Sequence, residues 1–250
     1  MKKYGFLVIL AFLSQTTFGQ KGFNFGLNIA PLLSSTRWDS AKKEIKSADF
    51  KSRMGFKGGL MVSYGFAENV GIQTGVDILM AGFKSIYGSI TNKYSLTSVE
   101  IPLLLKMRTN DLAGGIHAKG YFGGAVGLNV GAKVDASANQ FPIGAKVDAT
   151  ANQPLIYEQG KNTITGHFQP FFTWFAFGAG IDWDIEGVGM LDIALIYNLG
   201  LSNAFKPNYE MEYKDSNTNT TIKIKPYDNL RARLSYIGLN IGFWFPMGGN

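Results

Sequence analysis

Large apolar residues return at every second position in eight separate segments of this chain, most plainly in "YIGLNIGFWF", Tyr236–Phe245. There Ile237, Leu239, Ile241, Phe243 and Phe245 alternate with Tyr236, Gly238, Asn240, Gly242 and Trp244. A period of two makes a strand with two unlike faces. The second face is glycine, asparagine and aromatic, with no charge to hold water. Strands are expected at about 22–33, 55–66, 70–82, 95–108, 119–131, 170–184, 190–201 and 230–245. Gaps after the second, fourth and sixth are short, whereas those after the first, third, fifth and seventh (34–54, 82–93, 132–169 and 202–229) are long.

Short connections at one end and long ones at the other mark an outer-membrane barrel, with turns in the periplasm and loops outside. A soluble eight-stranded barrel would need a charged exterior. Charged residues are only 17% of the chain, glycine accounts for 31 of 250 positions, and the less apolar face offers mostly Gly, Asn, Ser and Ala. Aromatics on the apolar parity gather near the predicted periplasmic strand ends: Phe23, Phe25, Tyr64, Phe66, Trp183, Phe243 and Phe245. A girdle at a membrane interface accounts for that placement. The expected fold is all-β, an eight-stranded antiparallel up-and-down transmembrane β-barrel in the bacterial outer membrane, with Leu239 facing lipid. Asn240 then faces the lumen, where a carboxylate should be tolerated.

The opening "MKKYGFLVILAFLSQTTFGQ" has two lysines, a short apolar run and small or polar residues before Gln20. Residues 1–19 read as a secretory signal peptide and 20–250 as the barrel domain. Ten apolar residues cannot span about 30 Å of hydrocarbon, and no later segment reaches 18 consecutive apolar residues. Mean hydropathy, at +0.02, is too low for a helical bundle. With no cysteine, disulfides, thiolate metal sites and lipid anchoring through a cysteine are excluded.

The segment "SVEIPLLLKMR", Ser98–Arg108, resembles a strand common in the PorT-like outer-membrane β-barrel proteins of the Bacteroidetes group. "GFNFGLNIAP", "YFGGAVGLNVG" and "IGLNIGFWF" are similar to the same family, over essentially the whole mature chain. The resemblance implies the barrel and its location. The family's namesake serves a secretion and gliding machinery, and no motif here carries that role over.

Charges on the inward parity fall in two groups: Lys57, Asp77 and Glu100 in the outer half, and Lys106, Arg108, Asp182, Asp184 and Asp192 near the periplasmic end. Eight strands enclose only enough room for side chains. An unpaired buried charge is costly, so these should pair across the lumen as a polar plug. A narrow path for ions or small solutes is the alternative. Pro102, inside a strand, forfeits a ladder hydrogen bond and marks an expected bulge or a place where Glu100 meets the lumen network.

For a lipid-modifying enzyme the candidates are His167 and Ser202 at the outer side, with no orienting acid placed beside them. His117 falls at the periplasmic turn. The expectation is a non-enzymatic barrel without cofactor. No metal cluster, phosphate loop or nucleic-acid motif is present in the sequence.

The third long connection holds a duplication, "GAKVDASANQ" (131–140) and "GAKVDATANQ" (144–153), read as a tolerated surface insertion or as a hairpin turning near Phe141–Pro142. Arg231 and Arg233 lie just above the lipid-facing run of the last strand, where they would meet lipopolysaccharide phosphates; ordinary solvated charge is the alternative. The expected partners are therefore outer-membrane lipid and lipopolysaccharide, then other envelope proteins, reached through long loops or the periplasmic face.

Overall fold

The computed structural model describes residues 22–40, 49–87, 90–138, 160–163, 165–206, 211–214, 221–224 and 230–245. The signal peptide expected over 1–19, and residues 139–153 with the second copy of the duplication and its turn, lie outside them. The strands are β1 (Gly22–Ser40), β2 (Asp49–Ala67), β3 (Val70–Tyr87), β4 (Ile90–Arg108), β5 (Ile116–Ala138), β6 (Gly160–Thr163), β7 (Phe171–Ile185), β8 (Gly189–Gly200), β9 (Met211–Lys214), β10 (Thr221–Ile224) and β11 (Leu230–Phe245).

Eight of them form a ring. The order runs β1-β2-β3-β4-β5-β7-β8-β11, and β11 returns to β1. All of these pairings are antiparallel. Closure removes the sheet edges, the condition for strands to cross lipid. The three short strands are additions: β6 pairs with the far end of β5, and β9 and β10 form a separate hairpin within the last long connection.

The alternation places the outward residues as expected. Leu103, Val126, Phe175, Leu195 and Leu239 are exposed on the outer wall, while Asn240 is buried. The strands, however, run far past the apolar belt. A barrel strand needs about 9–11 residues to cross the hydrocarbon, yet β1 to β4 have 18 or 19 and β5 has 23. The 82–93 connection, expected as a long loop, is mostly the continuation of β3 and β4, paired as far as Tyr87↔Ile90. An apolar outward face ends where lipid ends, but backbone pairing continues in water. Strands β7 and β8, with 15 and 12 residues, do not share this overhang.

The bulges also differ from expectation. Register shifts fall between Ser52 and Phe56, between Gly65 and Ala67, and between Thr97 and Ser98. At Pro102 the β3–β4 register runs through unshifted, from Thr74↔Leu103 to Asp77↔Glu100. The Thr74 hydroxyl donates to the Pro102 carbonyl at 2.6 Å, so a side chain satisfies that acceptor. At the short-turn end, Gly114, Gly115 and Gly187 adopt φ of 58°, 82° and 70°, a left-handed conformation that glycine takes without Cβ strain.

Candidate functional site

The interior is layered along the barrel axis, starting at the short-turn mouth. There Arg108 Nη1 lies 3.6 Å and His117 Nε2 3.2 Å from Asp184 Oδ2. The other His117 ring nitrogen meets the Thr109 carbonyl at 3.0 Å.

Above the mouth, Asp182 on β7 and Asp192 on β8 stand directly opposite each other in the ladder. Facing like charges destabilise a sheet. Here Lys119 of β5 bridges them, 3.2 Å from Asp182 Oδ1 and in direct contact with Asp192. Lys106 reaches Asp182 Oδ2 at 2.7 Å and lies over the Trp244 ring. Asn240 donates to Asp192 at 3.1 Å and accepts from Asn28 at 3.4 Å. Two ammonium groups thus balance two carboxylates in a layer buried from solvent.

The next layer repeats the device. Asp77 and Glu100 are direct partners across β3–β4. Lys57 of β2 stands between them, 3.4 Å from Asp77 and 3.8 Å from Glu100. The Tyr236 hydroxyl donates to the Glu100 carboxylate, 2.8 Å from Oε2.

Beyond these charged layers the lumen is mostly apolar, with Asn92 and Ser98 buried among the rings and aliphatic groups. Leu79, Phe83, Tyr94, Leu96, Val134, Phe172, Trp174 and Leu234 point inward and are buried. Phe83 stacks on Tyr94 with centroids 4.5 Å apart. The Trp174 indole donates to the Leu234 carbonyl at 3.1 Å. Gly127 makes room for this ring, since a Cβ there would stand 2.5 Å from Trp174 Cζ3.

Two connecting segments close the top. Phe168 and Phe205 form a bridge, their rings 4.6 Å apart and both buried. The Lys206 N–H donates to the His167 carbonyl at 2.9 Å, Gln169 N–H to the Ala204 carbonyl at 2.8 Å, and Ala204 N–H to the Ala232 carbonyl at 2.6 Å. His167 is buried in this lid, within a 3₁₀ turn at Thr165–His167. Burial, and then the Lys206 cation, hold its pKa below the ordinary imidazole value. The Ser202 hydroxyl accepts the Thr173 N–H at 3.0 Å, a cap on the adjoining strand end.

All eight residues read as lumen charges therefore lie in ion pairs, while Arg108 and Asp184 belong to the mouth. Sequence reasoning missed Lys119, the cation on which the lower layer turns. Its parity matches that of Gly123 and Ala125 on the same strand, and counting back along β5 would have found it. The aromatic top was missed because Phe83 and Tyr94 lie past the apolar belt, where no outward alternation flags a strand.

On the outside, Phe23, Tyr64, Phe66, Trp183 and Phe245 are exposed at the short-turn end, with Phe25 and Phe243 half-buried among them. The Phe23 and Tyr64 rings lie 4.9 Å apart. Arg231 and Arg233 are exposed on the outward face of β11.

A family model described as an outer membrane protein beta-barrel domain matches residues 14–206. Among solved structures, the outer membrane protein OprG of Pseudomonas aeruginosa is similar at 9% identity, covering 91% of this chain and 99% of its own, with a TM-score of 0.46. Neisserial surface protein A is similar at 12% identity, covering 89% and 99%, with a TM-score of 0.41. Ail of Yersinia pestis, solved with the heparin analogue sucrose octasulfate, is similar at 14% identity, covering 89% and 99%, with a TM-score of 0.36. No curated protein matches the chain.

Proposed function

This chain belongs to the outer membrane protein beta-barrel domain family and resides in the bacterial outer membrane, and on that premise we propose that it is a sealed barrel, a structural or partner-binding protein of the envelope. The PorT-like branch of the family is the reading that its strand motifs favour. The observation that carries the proposal is the filled lumen. Two lysine-bridged carboxylate layers and an aromatic lid occupy it in series. Meanwhile β1 to β5 carry a paired wall well beyond the lipid belt, a surface with no use in a simple pore.

Planar-bilayer recording on the purified protein tests this. The expected result is no stable conductance above the bare membrane. Reproducible long-lived steps would make the protein a narrow pore and sink the proposal.

A further inference from the structure

Inside the barrel, each directly opposed pair of carboxylates has a bridging cation, and the opposed cations Arg108↔Lys119 each have carboxylates of their own. Asp182↔Asp192 has Lys119 and Asp77↔Glu100 has Lys57. On the outer wall of the overhang the same kind of pair recurs with the sign reversed. Arg37 of β1 stands opposite Arg233 of β11, and Lys84 of β3 opposite Lys93 of β4. Arg231 and Lys133 extend this basic rim. The acids of the region are Asp39, opposite Arg231 in the ladder, Asp135, opposite Lys93, and Asp49 of β2, opposite Ile86 and two residues from Lys51, which stands opposite Lys84. Among the described residues none forms an ion pair with Arg37, Arg233, Lys84 or Lys93. Facing cations at the spacing of adjacent strands, about 5 Å, repel unless an anion lies between them.

Resting on the sealed-barrel reading above, we infer that the bridging ions are lipid-borne: the rim binds the phosphate groups of an acylated glycolipid of the outer leaflet, lipid A in chemical class. The position argues for a lipid rather than a free anion. On two strands the cation stands four residues past the last outward apolar side chain, Arg37 past Leu33 and Arg233 before Ile237, and on β3 Lys84 stands four past Met80 with Ile86 beyond it. Four residues are roughly 13 Å along a strand, less along the axis of a tilted barrel. Acyl chains against Leu33, Ile237, Ile78 and Met80 would bring their own phosphates level with the cations. Guanidinium groups match phosphate bidentately, and lysine supplies a mobile point charge.

The test uses the full mature barrel refolded into phosphatidylcholine vesicles, alone or with lipid A carrying or lacking its two phosphates. The variants are Arg37→Thr with Arg233→Thr, and Lys84→Thr with Lys93→Thr. Without lipid A, each double variant should unfold at the same or higher urea concentration than the parent, because repulsion has gone. With phosphorylated lipid A the order should reverse. Each double variant should also bind that lipid roughly tenfold more weakly by native mass spectrometry. Equal stabilisation by both lipids, unchanged affinity in the variants, or equal occupancy by inorganic pyrophosphate would overturn the inference. So would a variant that fails to fold in plain phosphatidylcholine, since it would show no repulsion to relieve. None of these outcomes alters conductance, so the lumen reading stands or falls separately.

Discussion

At the scale of single residues, the two faces of one strand set very different tolerances. Leu239 is 44% exposed on the outer wall and its neighbour Asn240 only 6%. Leu239→Arg should cost about 2–4 kcal/mol, the range for a cation near mid-bilayer on such a barrel, read from urea titrations in vesicles. The sequence suggests Asn240→Asp as a mild companion change, and the structure corrects this. Asn240 donates to Asp192, so a carboxylate there would face another carboxylate in a dry layer. Asp182 gives a sharper contrast. It is fully buried between Lys106 and Lys119, whereas Asp184, two residues along, has a half-exposed side chain at the mouth. Removing one side of a buried pair costs about 3–5 kcal/mol, because the remaining charge stays buried. A surface pair is worth about 1 kcal/mol at most. Asp182→Asn should thus lower the unfolding midpoint far more than Asp184→Asn, and equal losses would mean water reaches the lower layer.

At the scale of elements, the lid is the part whose stability should follow pH. Burial and Lys206 depress the His167 pKa, so the unfolded segment takes up a proton more readily than the folded lid. The lid's stability is therefore complete above the unfolded imidazole value, about 6.5, and is lost as pH falls below it towards the folded pKa. The protection factors of the Gln169 and Ala204 amides, whose N–H groups hold the lid, should fall between pH 7.5 and 5 once exchange is corrected for its intrinsic pH dependence. His167→Gln should flatten that dependence, and an unchanged slope in the variant would place the titrating group elsewhere. This element also marks where the sequence stops being legible. The eight ring strands and their faces could be read because lipid outside and small or polar groups inside impose an alternation of two. The ion pairs of Lys57 and Asp182 were foreseeable from parity alone, since charges in so narrow a lumen have nowhere else to go. The overhang and lid were not. Above the membrane the outward residues of 91–97 are Thr91, Lys93, Ser95 and Thr97, so no apolar alternation marks the strand, and Phe168 and Phe205 come together through a contact between two connections 37 positions apart, for which no local period exists.

At the scale of the whole molecule, the sealed-barrel proposal puts resistance to passage at two levels of different chemistry, which differ in what would breach them. The lid and the rings beneath it are packed aromatic groups, which on this proposal would exclude water. The charged layers below are held by lysines that bridge facing carboxylates from β2 to β3 and β4, and from β5 to β7 and β8. These bridges tie neighbouring strands along the wall, while Tyr236 of β11 reaches Glu100 of β4 across the lumen, so the layers brace the ring as well as fill it. Opening the top should therefore leave the bottom intact. Phe168→Ser with Phe205→Ser removes two buried rings and should admit water to the level of Leu79 and Trp174. In vesicles that variant should unfold more easily yet retain its heat-dependent gel shift, because ring closure through β1 and β11 is untouched. In planar bilayers it should remain silent, since Lys57, Asp77 and Glu100 and the Lys106–Lys119 layer still span the lumen. Adding Lys119→Ala would leave Asp182 facing Asp192 without its bridge, and only then should brief cation-selective openings occur. Sustained conductance from the lid change alone would show that the aromatic cap is the whole seal and that the charged layers are wet.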